Sequence, residues 1–205
     1  MPTPTDALLI VDVQNDFCPG GALAVPDGDA VVPVINRVAR RLAGSGTPVF
    51  ASRDWHPRET AHFAERGGPW PVHCVAGTPG AAFHPDLELP PGTLIVTKGD
   101  DPAADGYSAF EGHLPDGEAF GDALARRGIR RLIVAGLATD YCVKRSVLDA
   151  RQRGFDVVVI REGVRGVEVR EGDTSRAVAE MEAAGARFAS ADEVCADAET
   201  AARAS

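Results

Sequence analysis

Six short apolar runs, rich in Val, Ile and Leu on both faces, alternate along this chain with amphipathic stretches, and that rhythm limits the fold more than any other feature. The runs are "ALLIVDV" (7–13), "PVFASR" (48–53), "TLIVTK" (93–98), "RLIVAG" (131–136), "DVVVIR" (156–161) and a weaker "ARFAS" (186–190). A strand with no polar face is covered on both sides, as parallel strands between helices are. The segments between them have apolar residues at helical spacing and helix signals at their ends. They are 29–44, closing on Gly44, then 116–128, 140–154 and 173–185, the last opening at an Asp-Thr cap. Residues after 191 read as a final helix that frays. Strand, helix, strand in this order predicts an α/β open sheet with right-handed crossovers.

The length of 205 residues fits one domain with a full core. A net charge of −9, with no Lys- or Arg-rich run, argues against nucleic acid, which needs clustered cations for the phosphate backbone. "RRGIRR" (126–131) reads as a helix end and loop. The first apolar run is short and contains Asp12, unlike a secretory or membrane-spanning segment, so the expectation is a cytoplasmic protein with no membrane partner. The four cysteines (18, 74, 142, 195) are irregularly spaced, with no C-x-x-C pair, and read as free thiols.

In an open α/β sheet, sites form beyond the carboxyl ends of the strands. Asp12 follows the first run, "RDWH" the second, Lys98 ends the third, and "LATDYC" with Cys142 follows the fourth. Taken singly, Asp12 reads equally as a turn former, Lys98 as a surface charge and Cys142 as a small core residue. Together they suit nucleophilic catalysis. A carboxylate can take the thiol proton, and a lysine favours the thiolate and keeps the acid ionised. The start of the 140–154 helix would add its N–H groups, which could receive an oxyanion.

Residues 54–92 show no helix or strand pattern and hold four of the five histidines. Residues 99–115 form a second long loop. Loops of this length are functional or disordered, and Trp55, Trp70 and the histidines argue against disorder. Asp54 and His56 alternate on an extended segment and can point the same way; His62 and His73 follow in the same loop. Such a set fits one divalent transition metal ion, Zn²⁺, Fe²⁺ or Mn²⁺, or else polar loop histidines satisfied by the protein. Cys74 reads as packing, and His84 and His113 as surface or structural. No dinucleotide fingerprint or P-loop is present.

The stretches "LLIVDVQNDFCPGGALAV", "SRDWHP", "WPVHCVAGTPGAAFHP", "TKGDD…YSAFEG" and "GLATDYCVKRSVLDA" occur in this order between about residues 7 and 166. In them the chain resembles the nicotinamidase/pyrazinamidase group of the isochorismatase-like cysteine hydrolases. The resemblance implies a single-domain three-layer α/β/α fold over residues 1–205, with a central six-stranded parallel sheet. It implies hydrolysis of nicotinamide to nicotinate and ammonia. Carried over, the catalytic triad falls on Asp12, Lys98 and Cys142, and the metal ligands on Asp54, His56 and His73. His62 matches a further metal-facing position. The substrate ring would sit among Phe17, Trp70, Tyr107 and Leu137. The oxyanion hole would be the N–H groups of Ala138, after a cis peptide, and Cys142.

The rival within the enzymes is an N-carbamoyl-type amidohydrolase with the same three catalytic residues. The metal cluster argues against it, because an aliphatic amide has no ring nitrogen to coordinate. A metal- or redox-sensing protein with Cys142 as sensor thiol is a third reading. Metal identity and oligomeric state stay open, a homo-oligomer included.

Overall fold

The computed structural model of the chain describes residues 5–204. Its strands are β1 (Asp6–Val11), β2 (Val49–Asp54), β3 (Leu94–Lys98), β4 (Arg131–Leu137), β5 (Asp156–Arg165) and β6 (Arg187–Ala189). They form one sheet in the order β3-β2-β1-β4-β5-β6, with every pairing parallel. The helices are α1 (Val31–Gly44), α2 (Phe120–Arg126), α3 (Lys144–Gln152), α4 (Asp173–Ala183) and α5 (Ala191–Ala204).

The period of two along each strand divides the core. Leu8 and Ile10 of β1 join α1 residues Val31, Ile35 and Val38 and α5 residue Val194 in one cluster. Ala7, Leu9 and Val11 face the other way, onto Leu124 of α2, Val147 of α3 and Met181 of α4. Both faces are therefore apolar and helix-covered, which gives three layers and explains why the strands carry no polar stripe. No helix among the described residues is long and apolar enough to cross a membrane.

The order places the topological switch point between β1 and β4, where neighbouring crossovers run in opposite directions and leave a crevice. Asp12 follows β1 and the Cys142 turn follows β4 on this edge. One glycine holds the pair together there. Gly136 has φ +121°, and a Cβ on it would lie 2.0 Å from the Val11 carbonyl oxygen. The β4–β5 register also slips at this point, from Val134↔Val159 to Gly136↔Val164. Gly136→Ala is expected to cost more than about 3 kcal/mol, since backbone strain adds to a clash that no side-chain rotation relieves. Equilibrium denaturant unfolding measures it, and an unchanged midpoint would contradict the assignment.

Most boundaries shift by a residue or two from the sequence reading, and three differ for a structural reason. The slip lets β5 continue to Arg165 instead of ending at 161. The 116–128 helix shrinks to α2, because Leu114 N–H donates to the Glu118 carbonyl and Gly117 takes a left-handed φ of +85° in a turn. The 140–154 helix begins instead as a π-helical turn, Thr139–Val143, and α3 starts only at Lys144. There the Ala138 carbonyl accepts from both Tyr141 N–H and Val143 N–H at 3.1 Å, which widens the turn. Cys142 thus sits inside a wide turn, not in the first turn of an α-helix.

Candidate active site

Four parallel strand ends deliver the chemistry. Asp12, Asp54, Lys98 and Cys142 arrive from the ends of β1, β2, β3 and β4, and all four are buried. Lys98 Nζ lies 2.8 Å from Asp12 Oδ2, forms a short contact with Asp54 Oδ1, and donates to the Gly106 carbonyl at 2.9 Å. Its distance to Cys142 Sγ is 3.5 Å. The ligating atoms of Asp12, Asp54 and Cys142 all lie within 4.8 Å of one another. The three groups proposed for nucleophilic chemistry therefore meet, and Lys98 is a fully buried cation between two carboxylates.

Two side chains that sequence reasoning missed hold this set. Ser52 Oγ donates to Asp12 Oδ1 at 2.7 Å. Gln14, fully buried, accepts from Asp54 N–H and donates to the Asp54 and Ala81 carbonyls, all within 2.9 Å. It clamps the end of β2 beside the long loop. A buried glutamine just past a strand was the available signal, but its partners are backbone groups, which no side-chain pattern reveals.

Burial and charge set the protonation states. Burial raises the Asp12 carboxyl, and Asp54 adds to that, while Lys98 and the Ser52 hydroxyl oppose it; the net shift is upward. Burial works against charge on Asp54 as well, but Lys98 and His56 outweigh it and hold its carboxyl well below the usual range. Lys98 pays the same burial penalty, yet Asp12 and Asp54 keep its ammonium well above the usual lysine range. The Cys142 thiol is pushed well up by burial; Lys98 pulls it down, and Asp12 and Asp54 reinforce the rise. Lys98 therefore favours the thiolate, as expected, but it does not act alone. Two nearby carboxylates and a dry site outweigh one ammonium, so the resting group is the neutral thiol.

Beside this set the long loop folds back, with Cys74 N–H tied to Asp16 Oδ2 at 2.7 Å. It brings His56, His62 and His73 together with ligating nitrogens within 4.8 Å of one another. His56 stacks on His62 with ring centroids 4.8 Å apart. The Nδ1 atoms of His56 and His73 face the carbonyls of Gly99 (2.9 Å) and Pro71 (2.7 Å). A carbonyl can only accept, so in both rings Nδ1 carries the proton and Nε2 offers its lone pair. His56 Nε2 is buried with no hydrogen-bond partner, and Asp54 Oδ2 lies 3.6 Å from it. An orphaned buried acceptor beside two other imidazoles and a carboxylate is a donor set that suits a divalent transition metal. Asp54 stands between the two groups, with one oxygen on Lys98 and the other facing His56.

A cavity opens over both groups. Its lining includes Phe17, Trp70, Tyr107, Ala138 and Cys142, with Asp54, His62 and His73. Trp70 Nε1 donates to Tyr107 Oη at 2.8 Å, and Tyr107 packs against His62. Leu137, expected at the ring, is fully buried in the core cluster that includes α1 and is not among the cavity-lining residues. Leu23, Tyr141 and Val167 line the cavity instead. The Leu137–Ala138 peptide is cis. Cys74 is buried in the core, and His113 pairs with Asp100 at the surface at 2.8 Å. All four cysteines are free.

Comparison with known proteins identifies the fold and the family. The isochorismatase domain model matches residues 6–193. A nicotinamidase of Escherichia coli K12 is 45% identical over 199 residues, covering 89% of this chain and 93% of that protein. A pyrazinamidase of Pyrococcus horikoshii in complex with zinc superposes with a TM-score of 0.84 at 41% identity, over 91% of this chain and 99% of that one. PnC1 of L. infantum in complex with nicotinate gives a TM-score of 0.81 at 36% identity, over 93% and 95%. From the first strand to the last helix, the chain belongs to the isochorismatase family.

Proposed function

We propose that this protein is a nicotinamidase, a metal-containing cysteine amidohydrolase that converts nicotinamide to nicotinate and ammonia and also accepts pyrazinamide. One observation carries the reading: Cys142, from the buried Asp12–Lys98–Cys142 set, lines one cavity together with Asp54, two of the three clustered histidines and an aromatic wall. Relatives named nicotinamidase and a neighbour bound to nicotinate support the same choice of substrate. The absence of disulfides among the described cysteines suits the cytoplasm, where thiols stay reduced.

His56, His62, His73 and Asp54 would hold a Zn²⁺, Fe²⁺ or Mn²⁺ ion. Bound there, the ion supplies a Lewis-acid anchor for the substrate's ring nitrogen. Phe17, Trp70 and Tyr107 flank the ring and set the carboxamide over Cys142. Because the resting thiol is neutral, Asp12 takes its proton as sulfur attacks the amide carbon. The N–H groups of Ala138 and Cys142 receive the oxyanion, each worth roughly 3 kcal/mol. Asp12 then hands the proton to the departing ammonia, and later activates the water that hydrolyses the thioester. Lys98 balances the charge that Asp12 and Asp54 share.

Ammonia release across nicotinamide, pyrazinamide and small aliphatic amides tests the reading. The two ring amides are expected to turn over best. Preference for an aliphatic or N-carbamoyl substrate would point to the rival amidohydrolase, and metal binding with no turnover to a sensor.

The acid limb of the kcat/KM profile offers a separate check. Asp12 must be ionised to accept a proton, and the Ser52 hydroxyl stabilises that form. Removing a donor from the charged form raises a carboxyl pKa. Ser52→Ala therefore should move the acid limb to higher pH in steady-state measurements. A limb that stays put or moves down would remove Asp12 as the base.

A further inference from the structure

The three histidines are not held alike. His56 and His73 are fixed by backbone carbonyls, but His62 Nδ1 lies 3.3 Å from the Asp105 carboxylate. Asp105 is 65% exposed and comes from the second long loop. Its two successors are anchored in the site. The Gly106 carbonyl accepts from Lys98, and Tyr107 Oη accepts from Trp70 Nε1. Gly106 has φ +68°, and a Cβ there would come within 2.5 Å of Gly99 Cα, so the chain is pressed against the end of β3. These anchors fix where Asp105 emerges despite its exposure.

We propose that Asp105 is a positioning residue for His62. Its carboxylate holds the proton on Nδ1 and turns Nε2 toward the other two imidazoles. A carboxylate behind an imidazole orients the ring and raises its basicity more than a carbonyl does. The inference rests on the metal reading above.

Transfer of Zn²⁺ from the loaded protein to a chromogenic chelator tests it. Asp105→Ala should release Zn²⁺ about 10–100-fold faster than wild type, the range for losing such a partner. Asp100→Ala removes an equal charge from the same loop, where Asp100 pairs with His113 instead, and should stay at the wild-type rate. The metal-free Asp105→Ala protein should melt with metal-free wild type, because an exposed carboxylate contributes little to the fold. Three results would overturn the proposal while leaving the metal site standing: wild-type release from Asp105→Ala, equal acceleration by Asp100→Ala, or an equal loss of melting temperature with and without metal. Wild-type protein that takes up no Zn²⁺ would overturn the metal reading and this inference with it.

Discussion

Cys142→Ala is expected to lower ammonia release from nicotinamide by roughly 10⁴-fold or more while leaving the fold intact. The large effect follows from the absence of a substitute. Among the described residues no other thiol shares the cavity: Cys74 lies in the core, and Cys18 is held up to about 11 by burial and Asp29. Retention of the fold follows from the small volume lost. Cys142 is buried within the π-helical turn, but a single sulfur atom costs only about 1 kcal/mol of packing there. Cys142→Ser serves as the control, since it keeps the volume and loses the sulfur. The measurements are steady-state ammonia release and a melting curve. An alanine variant that turns over near the wild-type rate would end the nucleophile assignment.

His56→Ala is expected to remove most of the bound divalent metal, from about one ion per chain, and to lower kcat/KM by roughly 100-fold or more. The large effect is expected because the Gly99 carbonyl fixes the His56 tautomer and leaves Nε2 buried without a hydrogen-bond partner, its lone pair open to an ion. Its loss also exposes Asp54 Oδ2, whose neighbour at 3.6 Å disappears. A strong chelator should mimic the variant in wild type and have little further effect on His56→Ala. Metal content by elemental analysis, paired with kinetics, reads both arms. A wild-type protein free of divalent metal and indifferent to chelators would contradict the assignment.

The residue pattern made some of this legible and hid the rest. The strands were visible because a doubly covered parallel sheet leaves no polar stripe, and their carboxyl ends then pointed to Asp12, Asp54, Lys98 and Cys142. The three histidines shared one long loop and could be grouped by type. The roles of Ser52, Gln14 and Asp105 were hidden, since each acts on a residue more than thirty positions away or on bare backbone. Composition could not show that Cys142 lies in a π-helical turn, because the Ala138 carbonyl creates the turn by accepting twice. The state of the thiol was also out of reach. Lys98 alone argues for a thiolate, and only the packing of two carboxylates and a dry core around it reverses that sign.

The central claim is that Cys142 Sγ forms a bond with the carboxamide carbon. Rapid acid quench of the enzyme during turnover of nicotinamide, followed by mass spectrometry of the peptide that carries Cys142, tests it most directly. The expected result is a mass gain of one nicotinoyl group on that peptide, lost on treatment with hydroxylamine and absent from Cys142→Ala. An unmodified Cys142 peptide under conditions where ammonia is being released, or a nicotinoyl group found on another residue, would contradict it.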